Sequence, residues 1–573
     1  MKNSKHISKI LVLIIAMATV LTSCEDFIDL QPLDKISMND YWKTSTDLEN
    51  YMLQFYPTFP SSIIIDADMN SDNMITSYPN AILNGERTLR TGNWKNEWSN
   101  LRNVNIFFEN YHQCESEFDE YKHFLGEAYF FRAWYYFELL KMYGDLPWYS
   151  KALQLNDEDE LMKSRDPRTL IVDSILVDLD KAYLYLSTRE EAGNNRINKE
   201  ASLAFKTRVA LFEGTWQKYH ADTPFGTSGA NPDKYFQACI DAAEELMNGN
   251  YSVGIYNTGN PSEDYYHLFG FDNMSDIDEV LLYKAYNADE GLSNSSQYRL
   301  VKSPTGSSAT MELVSSYLDK NGKPYDYIGL GENSKGNAFL TQIANDCDPR
   351  LKSSIWIPGD LMAAVSDHIV FSKPNVNGGA LDLVVTGFQI KKSSNPYSPA
   401  AGKMSEGRSE TGHIYFRYGE VLLNYAEAKY ELDNTVAYTQ LNLLRERAGM
   451  PNFTVNSVES DYNPVDYGYT VSDELYEIRR ERRVELALEG FREMDYMRWA
   501  AHSLFKGERL KGYPFNPDEF PDFHPILDEN GLIDYLSSQL PNGYQFRENQ
   551  DYLYSIPQDE ITLNPNLEQN PGW

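Results

Sequence analysis

The chain has 573 residues and a formal net charge of −33, from 84 Asp and Glu against 51 Lys and Arg. A surface so acidic repels phosphate backbones, and no basic stripe offsets it, which excludes nucleic acid as a partner. The four cysteines have no CxxC spacing, which excludes a disulfide framework and a zinc signature.

The N-terminus comes first in chain order. Lys2, Lys5 and Lys9 precede a nearly unbroken apolar run, Ile10 to Leu21. At about 1.5 Å of rise per residue this run is too short to span a hydrocarbon core, and it has the length of a signal-peptide h-region. Leu21-Thr22-Ser23-Cys24 resembles the bacterial lipobox. Residues 1–23 are therefore expected to be a removed leader and Cys24 the acylated first residue of the mature chain. Losing the leader's three lysines takes the charge to roughly −36. Several acyl chains on one cysteine make stable membrane anchoring. No later stretch is apolar for long enough to span a membrane, and Cys114, Cys239 and Cys347 remain as thiols. About 550 residues are left, enough for two or three packed regions.

Residues 24–252 read as a helical region. Tyr121 to Tyr143 is apolar nearly all round, with Gly126, Ala128 and Ala133 permitting close approach, so neighbours are expected on several sides. Gly144 to Pro147 stops it. Leu170 to Leu186 carries the stripe Ile171, Ile175, Leu179, Ala182 and Leu186. Lys199 to Tyr219 and Asp233 to Met247 follow, the latter closed by Gly249. Residues 253–411 change character: Gly, Asn, Ser and Pro punctuate short apolar runs such as Val280 to Tyr283. This is a loop-rich region with a few short strands, and loops on a rigid scaffold are where binding surfaces sit. In residues 412–573 helices return at His413 to Leu432 and Thr435 to Ala448, a short connection that implies an antiparallel pair. A third helix begins at Ser472, a good N-cap, with Asp473 and Glu474 in its first turn. The run of helices makes the fold class mainly α; no fixed repeat period is present, so periodicity alone does not show that the antiparallel pairs are degenerate repeats.

Three clusters invite a chemical reading. Glu477, Glu481, Glu485 and Glu489 recur every four residues along one helix side, and Arg482 falls among Leu475, Ile478 and Leu486. An arginine in apolar surroundings needs a bidentate acid, so a buried ion network is favoured over an acid/base site. Asp66, Asp68, Asn70 and Asp72 alternate like the start of a calcium loop. Ser71 stands at the sixth position and Ser77 at the twelfth, so the match fails, and a polar loop near the binding face is expected instead, without metal. There is no G-x-S-x-G and no HExxH, and neither a cofactor nor a nucleophile is expected. A glycosidase carboxylate pair stays open as the competing enzyme class.

Several segments, in order, resemble the SusD/RagB family of glycan-utilisation lipoproteins. They are CEDFIDLQPLDKIS from Cys24, LGEAYFFRAWYYFELLKMYGDLP from Leu125, MELVSSYLDKNGKP from Met311, and DPRL from Asp348. HIYFRYGEVLLNYAEAKYEL from His413, LNLLRERAGMP from Leu441, EIRRERRVELALEGFREMDYMRW from Glu477 and the terminal YLYSIPQDEITLNPNLEQNPGW complete the set. Asn321 replaces the family's acid before Gly322 and still supports a turn. The acidic pair Glu25-Asp26 looks like the surface-export signal of Bacteroidetes lipoproteins.

The resemblance implies a scaffold of tetratricopeptide-like helix pairs, a loop-rich ligand region and a lipid-anchored position on the extracellular face of the outer membrane. It implies a SusC-like TonB-dependent outer-membrane transporter as partner, over which the lipoprotein sits as a lid. The implied function is capture of a nutrient glycan or oligosaccharide without turnover. Peptide or glycopeptide nutrients in the same kind of complex are the alternative, with a glycoside hydrolase as a further one. Stacking aromatics in the family come from the N-terminal region and from the stretch before the Gly-Lys-Pro turn. Here those regions offer Trp94 and Trp98, and Tyr283, Tyr286 and Tyr298. Pyranose C–H faces are flat and apolar, so exposed rings can cover them while polar groups bond the hydroxyls. The expected contacts are Trp94, Tyr286 and Tyr298, with Asn93 and Arg87 as polar partners and Trp98 in the core.

Overall fold

The computed structural model describes residues 41–60, 64–92, 94–364, 368–400 and 405–573, so Cys24 and Asn93 lie outside the described residues. The fold is mainly helical. Its longest helix, Phe118–Tyr143, starts three residues before the expected Tyr121 because Asp119 and Glu120 favour its first turn. It is buried on every side by neighbours, with Phe130, Phe131, Phe137 and Leu140 at most 1% exposed. Gly144 ends it with a φ of 72°.

The helices pair along their lengths. Arg168–Tyr185 packs on Phe118–Tyr143. Gly126 makes the approach possible, since a Cβ there would lie 2.8 Å from the backbone nitrogen of Leu186. Lys199–Tyr219 runs antiparallel to Arg168–Tyr185: Ser202 Oγ donates to Leu179 O at one end, and Arg168 pairs with Glu213 at the other. Pro232–Asn248 lies on Lys199–Tyr219, with the Phe236 ring seated over Gly214. Tyr418–Asp433, Tyr438–Ala448 and Asp473–Glu485 complete the scaffold.

The expected helix over His413 to Leu432 is two elements. His413–Arg417 is a strand, and the helix starts at Tyr418. The middle of the strand, Ile414-Tyr415-Phe416, is β-branched and aromatic, which suits a pleat packed between two layers. Their partner is Val280–Lys284, paired antiparallel with Tyr283 opposite Ile414 and Lys284 opposite His413. This two-stranded ribbon separates two cores. Tyr283, Ala285 and Ile414 face a small one with Tyr265, Phe269 and Met274, while Leu282 and Phe416 face the helical core.

Residues 285–412 thus leave and re-enter the scaffold side by side. They form short helices and short ladders, Met74–Ile75 with Ser308–Ala309 and Leu361–Ala363 with Ile369–Val370. Their own core, around Leu313, Tyr317, Phe339 and Phe388, is shared with Val484, Leu488, Tyr513 and Phe515 from the C-terminal part. Among the described residues no helix is long and apolar enough to cross a membrane.

Candidate functional site

The glutamate stripe of the Asp473–Glu485 helix points inward. Glu485 accepts from Arg350 and Arg417 at 2.9 Å each and from Arg447. Glu481 pairs with Arg350 at 2.7 Å and Arg445 at 2.8 Å. Glu279 joins Arg417 and Arg447, Asp348 joins Arg350, and Glu489 joins Arg417 and Lys392. Five cations, Arg350, Lys392, Arg417, Arg445 and Arg447, therefore face five carboxylates, Glu279, Asp348, Glu481, Glu485 and Glu489. Burial alone would raise the Glu485 carboxyl, but Arg447, Arg417 and Arg350 hold it well below the usual carboxylate range. Burial lowers the Lys392 ammonium to about 8 even beside Glu489. Arg482 finds the acid its position demanded, Asp495, with Nε 2.9 and 3.0 Å from the two oxygens. These carboxylates are engaged by arginine and lysine, which makes the stripe a structural centre.

The acids at 66–72 are likewise engaged, and they serve as a staple to the C-terminal part. Asp68 accepts from the backbone N–H of Leu488 and Gly490. Leu488 has a φ of 64°, unusual for a branched side chain, and this hydrogen bond holds it there. Asp72 binds Arg492 and Arg483, and Asp66 binds Ser307 and Arg299.

The expected ligand residues fall into separate places. Trp94 opens the Trp94–Asn110 helix and is half-buried, its ring 5.5 Å from Trp98 and 5.2 Å from Tyr143. Trp98 is half-buried too, packed against Tyr136 and Tyr149 at the rim of the helical core. Arg87, expected as a polar partner, is instead held by the C-terminal segment. Its side chain is 7% exposed, its guanidinium lies 4.3 Å from the Tyr554 ring centroid, and it donates to Asp551 O. The sequence distance of 464 residues hid that contact.

Tyr286 is half-buried two residues past the Val280–Lys284 strand of the ribbon. Lys284 Nζ lies 5.6 Å from its ring centroid. Tyr415 adjoins it: burial, then neighbouring Tyr286, raises the Tyr415 hydroxyl above its ordinary range. The Tyr415 ring stacks on Phe59 at 4.8 Å and lies 5.1 Å from His413, and its hydroxyl donates to Pro60 O. Burial, then Lys284, lowers His413 to about 4, so the ring is neutral at pH 7. His413 and Tyr415 belong to this face and were missed, because the segment was read as helix; its run of Ile414, Tyr415 and Phe416 was the available signal. Tyr298 is half-buried on the short Ser296–Val301 helix, between Gln297, which bonds Ser393 and Thr411, and Arg299, which pairs with Asp66. Tyr283 is buried, its hydroxyl donating to Asn273 Oδ1. Tyr78 and Tyr397, 76% and 70% exposed, carry large open rings that nothing in the sequence singled out.

The structure does not bring Trp94 and Tyr286 together. Trp94 packs on Tyr143, at the end of the long helix. Tyr286 reaches that helix through Tyr415 and Phe59 at Phe131. Twelve residues separate those points, roughly 18 Å along the axis. The arrangement offers half-open rings at two stations on one rigid scaffold, suited to flat apolar faces of a long ligand.

Comparison with known proteins gives a consistent picture. The profile of the SusD family matches residues 226–573, and a profile described as starch-binding associating with outer membrane matches residues 31–211. The chain is similar to SusD-like protein P38 of Formosa agariphila, 23% identical over 87% of this chain and 92% of that one. It is also similar to SusD-like protein P2 of the same organism, 22% identical over 98% of each. A SusD-like protein from Bacteroides fragilis superposes with a TM-score of 0.70 at 22% identity, covering 95% of this chain and all of the other. A SusD-like carbohydrate binding protein from the same species gives 0.70 at 21%, covering 92% and 100%. At these identities the structural likeness shows a shared fold.

Proposed function

The chain belongs to the SusD family, and from that premise we propose that it is a surface lipoprotein that binds a nutrient glycan or oligosaccharide without turning it over. The observation that carries this reading is the aromatic face of the ribbon, where Tyr286, Tyr415 and His413 stand half-buried on a rigid base. Rings held this way lose little rotamer entropy on binding a sugar face. A structural neighbour described as a carbohydrate binding protein supports the same ligand class. Cys24 anchors the chain to the outer membrane, and the bound glycan passes to a SusC-like TonB-dependent transporter.

The test is a glycan array followed by affinity electrophoresis and a reducing-end assay on each bound polysaccharide. Binding with no new reducing ends is expected. Sustained release of reducing ends makes the protein a glycosidase, and affinity for peptides alone makes it a peptide binder. Tyr286→Ala and Trp94→Ala should each weaken binding at least tenfold with little change in melting temperature. Because roughly 18 Å separates the two stations, a short oligosaccharide should respond to only one of the two variants. Normal binding by both variants sinks the site assignment. Cys24→Ala should release the protein from membranes, and intact cells that resist protease shaving would contradict surface display.

A further inference from the structure

A separate cavity of about 540 Å³, within the size range of small-ligand sites, is lined by Tyr283 of the ribbon and not by Tyr286. Its walls come from three stretches: residues 189–195, Ser252, and residues 273–283. Arg189 ties them together. Its guanidinium donates to Ile277 O at 3.1 Å, to Asp278 Oδ1 at 2.8 Å and to Ser252 O. Asn194 adds a second tie, its Nδ2 donating to Met274 O at 2.7 Å and its carbonyl accepting from Tyr283 N–H at 2.8 Å. The walls are thus fixed before any ligand arrives, which removes an ordering cost from binding.

Apart from Arg189 and Glu190 the lining side chains are neutral: the amides of Asn195 and Asn273 and the hydroxyls of Ser275 and Tyr283, the last donating to Asn273 Oδ1. The Arg189 charge is answered by Asp278, and Glu190 at the rim, like the chain's net charge of −33, repels anions. Two other cavities carry more charge in their walls. One beside Lys511 is lined by Glu312, Arg483, Arg509, Asp528 and Glu529. Another is floored by the Arg132–Asp178 ion pair.

We propose that this cavity is a second binding site, for a neutral polyhydroxyl unit of about one or two sugar residues, acting independently of the Tyr286 face. The inference rests on the glycan-binding reading for its ligand class.

Hydrogen–deuterium exchange of the full chain tests it, with maltotetraose, cellotetraose, xylotetraose and tetragalacturonate as probes at millimolar concentration. At least one neutral tetrasaccharide should slow exchange in residues 189–195 and 273–278, and tetragalacturonate should not. Asn195→Trp fills the cavity from its exposed rim. It should abolish that protection while leaving the response of residues 284–298 and the melting temperature unchanged. If Asn195→Trp shifts the melting temperature, Asn273→Ala is read in its place, with the same loss expected. Protection at 284–298 alone overturns this site and spares the glycan-binding reading. Protection at neither place overturns both, protection by tetragalacturonate at the cavity overturns the neutral class, and protection surviving both variants overturns the assignment to these residues.

Discussion

Glu427 is fully buried and accepts from Arg498 at 2.7 and 2.6 Å and from the Trp499 indole at 2.6 Å. Burial pushes its carboxyl up, but Arg498 overcomes this and holds it at about 2, against 4.5 in the unfolded chain. The folded pKa is depressed. The stabilisation is therefore complete above pH 4.5 and is lost as pH falls from 4.5 toward 2, a difference on the order of 3 kcal/mol. Melting temperature should fall through that window, and Glu427→Gln should flatten the slope there. At pH 7 the same variant takes one of two carboxylates from Arg498 and leaves Asp495 at 2.9 Å, so urea unfolding should show a loss of about 1–3 kcal/mol. An unchanged acid limb in Glu427→Gln would assign the acid sensitivity to other carboxylates. Single residues were legible in the sequence where local pattern forces a demand. Arg482 among apolar neighbours announced a bidentate acid, though not that Asp495 would supply it. Arg87 shows the reverse, since no local pattern tells that the last thirty residues fold back over it.

At the scale of elements, amphipathic periodicity was enough for the scaffold. Lys199–Tyr219 has the expected bounds, and its neighbours Arg168–Tyr185 and Pro232–Asn248 differ by one or two residues at their ends. The ribbon was not legible. Five residues running straight into a helix carry too little period of their own, and the partner strand lies well over a hundred residues earlier. The aromatic face went with it, which is why His413 and Tyr415 were overlooked while Tyr286 was not. Close helix approach yields a sharp expectation at Gly126. In an exposed helix, Gly→Ala gains about 1 kcal/mol. Here the new Cβ meets the Leu186 backbone nitrogen at 2.8 Å, an atom that cannot swing aside. Gly126→Ala should therefore destabilise by about 1–3 kcal/mol in thermal melts. A rise in melting temperature would show that the two helices are farther apart than described.

Across the whole molecule, the ionic centre joins segments far apart in sequence. Arg350 comes from the 285–412 excursion, Arg417 from the ribbon, Arg445 and Arg447 from one helix, and Glu481 and Glu485 from another. Pulling any one segment away leaves buried charge unpaired, so the excursion and the scaffold should unfold as one unit. Exchange-labelling in urea should show residues 311–355 and 199–219 losing protection at the same concentration, and earlier loss in 311–355 would mean the excursion opens independently. The same wiring has a consequence for how the polypeptide is made. A ribosome delivers Arg350, Arg417, Arg445 and Arg447 before residues 481 and 485 exist. Until the last fifth of the message is read, only Glu279 and Asp348 are there to answer five cations of the centre, Lys392 included. The centre therefore stays wet and open during synthesis, and closure waits on the arrival of three glutamates, Glu481, Glu485 and Glu489.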